Sequence, residues 1–272
     1  MFSDDDALRL PYPGLRSFQR EESDLFFGRE GSVNDMINRL RPHHFLAVLG
    51  TSGSGKSSLV RIGLLDGLEL GLLAEAGPNW RIADFAPGNN PIRNLARELV
   101  RLSNGEEIDV DFVEAMLARG PRSVIEWCED GNLPPKTNLL LLVDQFEELF
   151  RYQGYAQRQA AEAFVALLIE SARAREVPIY VVLTMRTDFL GACALIQGLA
   201  EAINDGQYLT PRLTREQCRE AIVGPASVCG TAIEEPLINR LLNDLEDFAP
   251  WDDRDTADQL DRLVRRADQL PL

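Results

Sequence analysis

With 272 residues the chain can bury one large core or two modest ones. Its composition, 45% apolar and 26% charged, is that of an ordinary globular protein; no apolar stretch reaches membrane-spanning length, and the acidic start Met1-Phe2-Ser3-Asp4-Asp5-Asp6 is unlike a secretory n-region. A formal charge of −15 disfavours loose binding to nucleic acid or anionic lipid, which most of the surface would repel.

Residues 1–44 read as a polar, proline-containing lead-in that ends in a short helix around Gly31–Leu40, stopped by Pro42. Phe45-Leu46-Ala47-Val48-Leu49 is an apolar run with the length of a buried strand, and Ser58–Leu65 has helical spacing. Between them stands Gly50-Thr51-Ser52-Gly53-Ser54-Gly55-Lys56-Ser57, a complete P-loop. Strand, glycine-rich turn, helix is the context this motif needs. Its glycines let main-chain N–H groups close around phosphate oxygens, and the helix N-terminus adds partial positive charge. The candidate phosphate contacts are Gly50, Ser52, Gly53, Ser54, Gly55, Lys56, Ser57 and Ser58. Lys56 would reach the β- and γ-phosphates, and the Ser57 hydroxyl would bind Mg²⁺.

Further along, Trp80–Phe85 reads as a second strand and Pro91–Leu102 as a helix with proline at its first position. Helical segments near Val110–Arg119 and Arg122–Glu129 follow. Asn138–Val143 is a third strand, Arg158–Ala174 an amphipathic helix, Ile179–Thr184 a fourth strand and Gln207–Thr210 a short fifth. Apolar strands alternating with helices predict an α/β fold: a five-stranded parallel sheet with helices on both faces. After Pro211 the pattern turns helical, with Thr214–Val223, Pro236–Leu245 and Thr256–Gln269 and no strand between them. The expected domains are a lead-in over 1–44, a P-loop core over 45–212 and a small helical lid over 213–272. Asp244–Asp258, with seven carboxylates and one arginine, reads as a solvated loop. The chain stops at Pro271-Leu272 directly after a helix, as a cut segment would.

Lys56 and Lys136 are the only lysines, against 26 arginines, and one of them stands in the P-loop, where a compact point charge suits phosphate. Cys128, Cys193, Cys218 and Cys229 lack metal-type spacing, which fits reduced thiols in a cytoplasmic protein better than a zinc site.

Leu139-Leu140-Leu141-Leu142-Val143-Asp144 is an apolar strand ending in a carboxylate, the form of a Walker B element. A strand buried on both faces can carry a charge at low cost only at its C-terminal tip, where ligands gather. Asp144 there can hold Mg²⁺, and Glu147 or Glu148 could polarise an attacking water. Acids at a helix start also occur for dipole reasons alone. Arg186, closing the fourth strand, could sense a γ-phosphate; the plainer alternative is an ion pair with Asp188. Phe26-Phe27-Gly28-Arg29-Glu30 and Gly224-Pro225 are each weak signals, since a Gly-Pro pair usually just breaks a helix.

Taken in order, Phe27-Gly28-Arg29-Glu30, the P-loop, Asp144-x-x-Glu147-Glu148, Thr184-x-Arg186 and Gly224-Pro225 resemble the STAND NTPases, relatives of NACHT and AAA+ ATPases. The strings from Pro11 to Phe18, from Asp144 to Phe150 and from Arg186 to Leu190 are similar to the bacterial novel STAND NTPase group. The resemblance implies ATP/ADP with Mg²⁺, Phe27, Gly28 and Arg29 near the adenine, Arg186 as sensor arginine and Pro225 against the base. It also implies a slow ATPase that works as a signalling switch, ADP-bound at rest and homo-oligomeric with ATP, joined to effector and sensor domains that this chain lacks. Gln145 occupies the position where many AAA+ proteins keep the water-activating glutamate, so the base role moves to Glu148, with Glu147 as runner-up. A DNA-associated AAA+-like adaptor ATPase is the alternative, disfavoured by the acidic charge. A kinase or GTPase is a second alternative, but no Asn-Lys-x-Asp guanine-reading string is present and nothing in the sequence indicates an acceptor-substrate pocket.

Overall fold

The computed structural model describes residues 9–14, 16–104, 108–151 and 155–246. A 3₁₀ turn (Arg20–Leu25) precedes α1 (Glu30–His43) and β1 (Phe45–Gly50). The helical stretch after the P-loop comprises α2 (Lys56–Ser58), a π-helical turn (Leu59–Leu64) and α3 (Leu65–Glu69). Then come β2 (Trp80–Phe85), α4 (Pro91–Leu102), α5 (Val110–Leu117), α6 (Ser123–Trp127) and β3 (Asn138–Val143). A 3₁₀ turn (Phe146–Arg151), α7 (Tyr155–Arg173), β4 (Ile179–Arg186), α8 (Leu190–Cys193), α9 (Leu199–Asp205), β5 (Gln207–Leu209), α10 (Arg215–Val228) and α11 (Glu235–Glu246) complete the order. Among the described residues no helix is long and apolar enough to cross a membrane.

The chain forms two compact units, neither continuous in sequence. One holds the described residues of 34–50 and 66–210; the other holds those of 9–33, 51–65 and 211–246.

The first unit is the sheet and its helices. Its five strands lie in the order β2-β3-β4-β1-β5, every pairing parallel. β1 and β3 are buried at every residue and β4 through Met185, as wholly apolar strands covered on both faces must be. At the edge, β2 is buried only at Trp80, Ala83 and Phe85. The connection after β1 runs toward β2 and that after β4 runs toward β5, in opposite directions across the sheet. This is the topological switch point at which ligands of such folds bind, beyond the C-terminal tips of β1 and β4. α4 starts as its sequence dictates: the Asn90 side chain accepts the Arg93 N–H (3.1 Å), with Pro91 following. Asn138, 4% exposed, is satisfied by donating to the Ala76 and Asn79 carbonyls (2.9 and 3.0 Å).

The second unit gathers the described part of the lead-in up to Val33, the P-loop from Thr51 with the helical stretch to Leu65, and α10 and α11. α10 opens with a reciprocal cap: Thr214 Oγ1 accepts the Gln217 N–H (3.2 Å), and Gln217 Oε1 accepts the Thr214 N–H (2.9 Å). Ile238 and Leu242 of α11 are buried at helical spacing.

Several expected boundaries move. Pro42 does not stop α1, which runs to His43; proline is tolerated because the helix ends one residue later. Gly224-Pro225 does not break the lid helix, which continues to Val228 with Pro225 buried. The stretch after the P-loop, expected as a regular helix, contains a π turn at Leu59–Leu64, a distortion frequent near functional sites. The expected helix Thr256–Gln269, the acidic stretch after Glu246 and Leu15 of the lead-in string lie outside the described residues.

Candidate functional site

β1 ends at Gly50 and the chain turns through Thr51–Gly55. Gly53 and Gly55 take left-handed backbone angles, φ +70° and +80°. A Cβ on Gly55 would meet no atom within 4 Å, so conformation rather than crowding demands glycine there. Lys56 opens the helix, 9% exposed, with its Nζ donating to the Thr51 carbonyl (2.7 Å). No side chain caps this helix start, and the Ser54 hydroxyl is buried with no hydrogen-bond partner. An uncapped helix N-terminus beside a left-handed glycine turn and an orphaned buried hydroxyl fits an anion such as a phosphate.

In the same unit the lead-in fastens this loop. Ser58 Oγ accepts the Phe18 N–H (3.2 Å), and Arg61 donates to Ser17 Oγ (3.4 Å). Arg29 donates to the Ser54 carbonyl (3.4 Å) and to the Pro211 carbonyl (2.6 Å). Gly28 (φ +83°) lies so near α10 that a Cβ would come within 2.6 Å of the Gln217 carbonyl oxygen. Gly224 meets the Phe27 ring in the same way, with 2.6 Å from an added Cβ to the nearest ring carbons. Tyr12 donates its hydroxyl to the Ile222 carbonyl. Thus the structure brings Phe27 against Gly224 and Gly28 against Gln217, both on α10, the helix that carries Pro225; the sequence offers these segments as separate weak signals.

The other unit holds the acidic residues. Register pairs Phe85 with Val143, Val143 with Leu183 and Gly50 with Arg186, so the tips of four strands share one sheet edge. Asp144, 4% exposed, follows β3, and its N–H donates to the Phe85 carbonyl (2.9 Å). The Thr184 hydroxyl donates to Asp144 Oδ1, and the Gln145 N–H donates to Thr184 Oγ1 (3.1 Å). Gln145 itself is left-handed (φ +55°), with an exposed side chain. Glu147, 7% exposed, accepts the Arg186 N–H (3.3 Å), and Glu148 accepts the Gly88 N–H (3.1 Å). The Arg186 guanidinium forms an ion pair with Asp188 at 2.5 Å. A buried carboxylate with a hydroxyl offers hard oxygen donors, the kind Mg²⁺ takes when phosphates complete its shell. No group of three or more His, Cys, Asp or Glu residues forms a self-sufficient metal cage among the described residues.

Sequence reasoning missed the parts played by Ser17, Phe18, Gly88 and the Thr184 hydroxyl. For Thr184 a signal existed, a small polar residue at the end of an apolar strand; for main-chain donors there is none.

Solved structures with this fold include a Walker-type ATPase of Pyrococcus abyssi (TM-score 0.55, 15% identity, covering 84% of this chain and 65% of that one). The ORC2 protein of Aeropyrum pernix is similar in its ADP form (0.53, 14%, 98% and 71%). It is also similar in its ADPNP–ADP complexes (0.51, 16%, 97% and 70%). The chain therefore spans a little under two thirds of the Pyrococcus protein's length. No curated protein matches it in sequence. These likenesses establish the P-loop α/β architecture. The motifs, the switch-point sheet and a match of residues 11–272 to the family model described as Novel STAND NTPase 1 agree, and the chain belongs to that family.

Proposed function

We propose that the chain is the ATP-binding, slowly hydrolysing module of a nucleotide-gated signalling switch. The observation that carries this reading is the strand register at one sheet edge. Gly50, first residue of the P-loop, is paired with Arg186, and Asp144 is bound to Thr184 two strands from β1. Lys56 is assigned to the β- and γ-phosphates, and Ser57 with Asp144 to Mg²⁺. Glu148, or Glu147 failing it, is assigned as the base that polarises water. Phe27, Gly28, Arg29 and Pro225 are assigned to the base end of the nucleotide. Magnesium would supply charge neutralisation of the phosphates; the residues' own task is to orient and to exclude water. Arg186 would have to exchange its partner Asp188 for a γ-phosphate, a contact available with ATP and not with ADP. Membership of a STAND family supports the switch role, with oligomerisation in the ATP state and with effector and sensor domains supplied by a longer protein. The reading also takes the protein to be bacterial and cytoplasmic.

Calorimetric titration with Mg-ATP is the test. Wild type should bind and Lys56→Ala should not, at unchanged circular dichroism, because the variant loses charge-assisted contacts to two phosphates. Saturation at a hundred times the dissociation constant should stabilise the wild type by about 2.7 kcal/mol. Equal affinities would remove Lys56 from the site. Identical scattering profiles with ATP and ADP, under that same stabilisation, would remove the switch.

A further inference from the structure

Gln145 breaks two expectations at once. Its side chain stands where a catalytic acid would serve, yet it is exposed; its backbone is left-handed (φ +55°), a region that non-glycine residues enter only when something holds them there. Both polar groups of its main chain are in use. The Gln145 N–H donates to Thr184 Oγ1 (3.1 Å), and the Gln145 carbonyl accepts the Glu148 N–H (2.9 Å).

Thr184 is 2% exposed on the neighbouring strand. Its hydroxyl has one proton to give and lone pairs to receive. With an amide already donating to the oxygen, that proton is directed at Asp144 Oδ1, the contact observed. Asp144 and Gln145 are consecutive, so the three groups form a closed ring: a main-chain donor, a hydroxyl, and the carboxylate one residue back. Such a ring leaves the carboxylate little rotational freedom. It also explains why β3 ends where it does, since a left-handed residue directly after Asp144 takes the chain out of the strand.

We infer that Gln145 acts through its main chain, and that Gln145 and Thr184 are positioning residues that fix the orientation of the Asp144 carboxylate. The side chain at 145 is then dispensable, while the left-handed backbone and the hydroxyl at 184 are not. The consequence for magnesium rests on the Mg-nucleotide reading above.

Two measurements separate the ring from that reading. The first uses the unliganded chain and follows hydrogen exchange of the Gln145 amide. Thr184→Val removes the acceptor without changing side-chain size, so the amide should exchange about tenfold faster or more, whereas Thr184→Ser should protect it as in wild type. Equal exchange in wild type and Thr184→Val overturns the ring itself. The second titrates Mg²⁺ into the chain with ATP and reads the half-saturating metal concentration beside the metal-free affinity for ATP. Thr184→Val and Gln145→Val should raise the metal requirement about ten- to a hundredfold, as loss of groups that orient a metal ligand does. Thr184→Ser, Gln145→Gly and Gln145→Asn should stay near wild type, the last two because both residues tolerate the left-handed region. Metal-free ATP affinity should be the same in all six proteins, which a merely unfolded variant could not show. An unchanged metal requirement in Thr184→Val overturns the positioning role. A wild type that protects the Gln145 amide but binds no nucleotide overturns the Mg-nucleotide reading and this role with it, leaving the ring as a strand terminator.

Discussion

At the strand tips, polar side chains hold one another: Thr184 on Asp144, with Glu147 and Glu148 each taking a main-chain N–H from a different segment. Around the phosphate loop the holding is done by main-chain atoms and by the absence of side chains. Gly28 lets the Gln217 carbonyl approach, Gly224 lets the Phe27 ring approach, and Arg29 spends its guanidinium on two carbonyls. The contrast teaches where each region is vulnerable. A carboxylate at the tips can be changed to its amide and still accept its N–H, so chemistry should fail before structure does. Gly28 cannot take a side chain without moving a backbone, nor Gly224 without moving the Phe27 ring, so structure should fail first.

The largest effect expected from this contrast is on turnover. Glu148→Gln should keep nucleotide binding and thermal stability while slowing phosphate release about 10²- to 10⁴-fold, since a carboxamide cannot take a proton. Glu147→Gln, at the more buried of the two positions and so less open to a water, should slow it far less. If Glu147→Gln is inactive and Glu148→Gln active, the base is one residue earlier; if both lose stability rather than turnover, the contrast between the regions is wrong.

Next in size is the other half of the comparison. Gly28→Ala combines a forbidden backbone region with a carbonyl oxygen 2.6 Å from the new Cβ, and should cost about 3 kcal/mol in denaturant melts. Gly224→Ala meets a side chain rather than a backbone, but it meets Phe27 Cγ itself, which ring rotation does not move, so Phe27 must swing about χ1 and the change should cost about 2 kcal/mol. A Gly28→Ala chain as stable as wild type would show that the lead-in does not pack on α10 as described.

This difference also decided what the sequence could display. Leu139–Val143 followed by Asp144 announces a buried parallel strand with a charged tip, because a strand covered on both faces has nowhere else to put a carboxylate. The central strands β1, β3 and β4, and the place of Asp144 at a strand tip, are legible for that reason. Gly28 and Gly224 carry no such announcement: a glycine in the sequence does not say which carbonyl or ring will come close to it. Pro225 misled outright, since the same Gly-Pro pair that ends many helices is here accommodated inside α10. The Thr184 hydroxyl was half visible, its position readable and its partner not.

The smallest expected effect tests the sheet unit away from its tips. His44 ends the turn before β1 with left-handed φ +54°, stacked on Tyr180 at 4.1 Å between ring centroids, with Nδ1 buried and unpartnered. Burial, and then the charge of Arg175, push its pKa below the ordinary imidazole value. The folded state therefore prefers neutral His44, and the unfolded chain takes up the proton first as pH falls. Stability should be full above about pH 6.5, decline as pH drops through that value, and level off once the folded state also protonates. Asparagine tolerates the left-handed region and does not titrate, so His44→Asn should lack this component of the decline. Melting wild type and His44→Asn side by side from about pH 8 to about pH 5 would show the gap between them narrowing toward acid. A gap that stays constant would mean that His44 is as readily protonated in the fold as out of it, and that its ring is not held against Tyr180 in the neutral form.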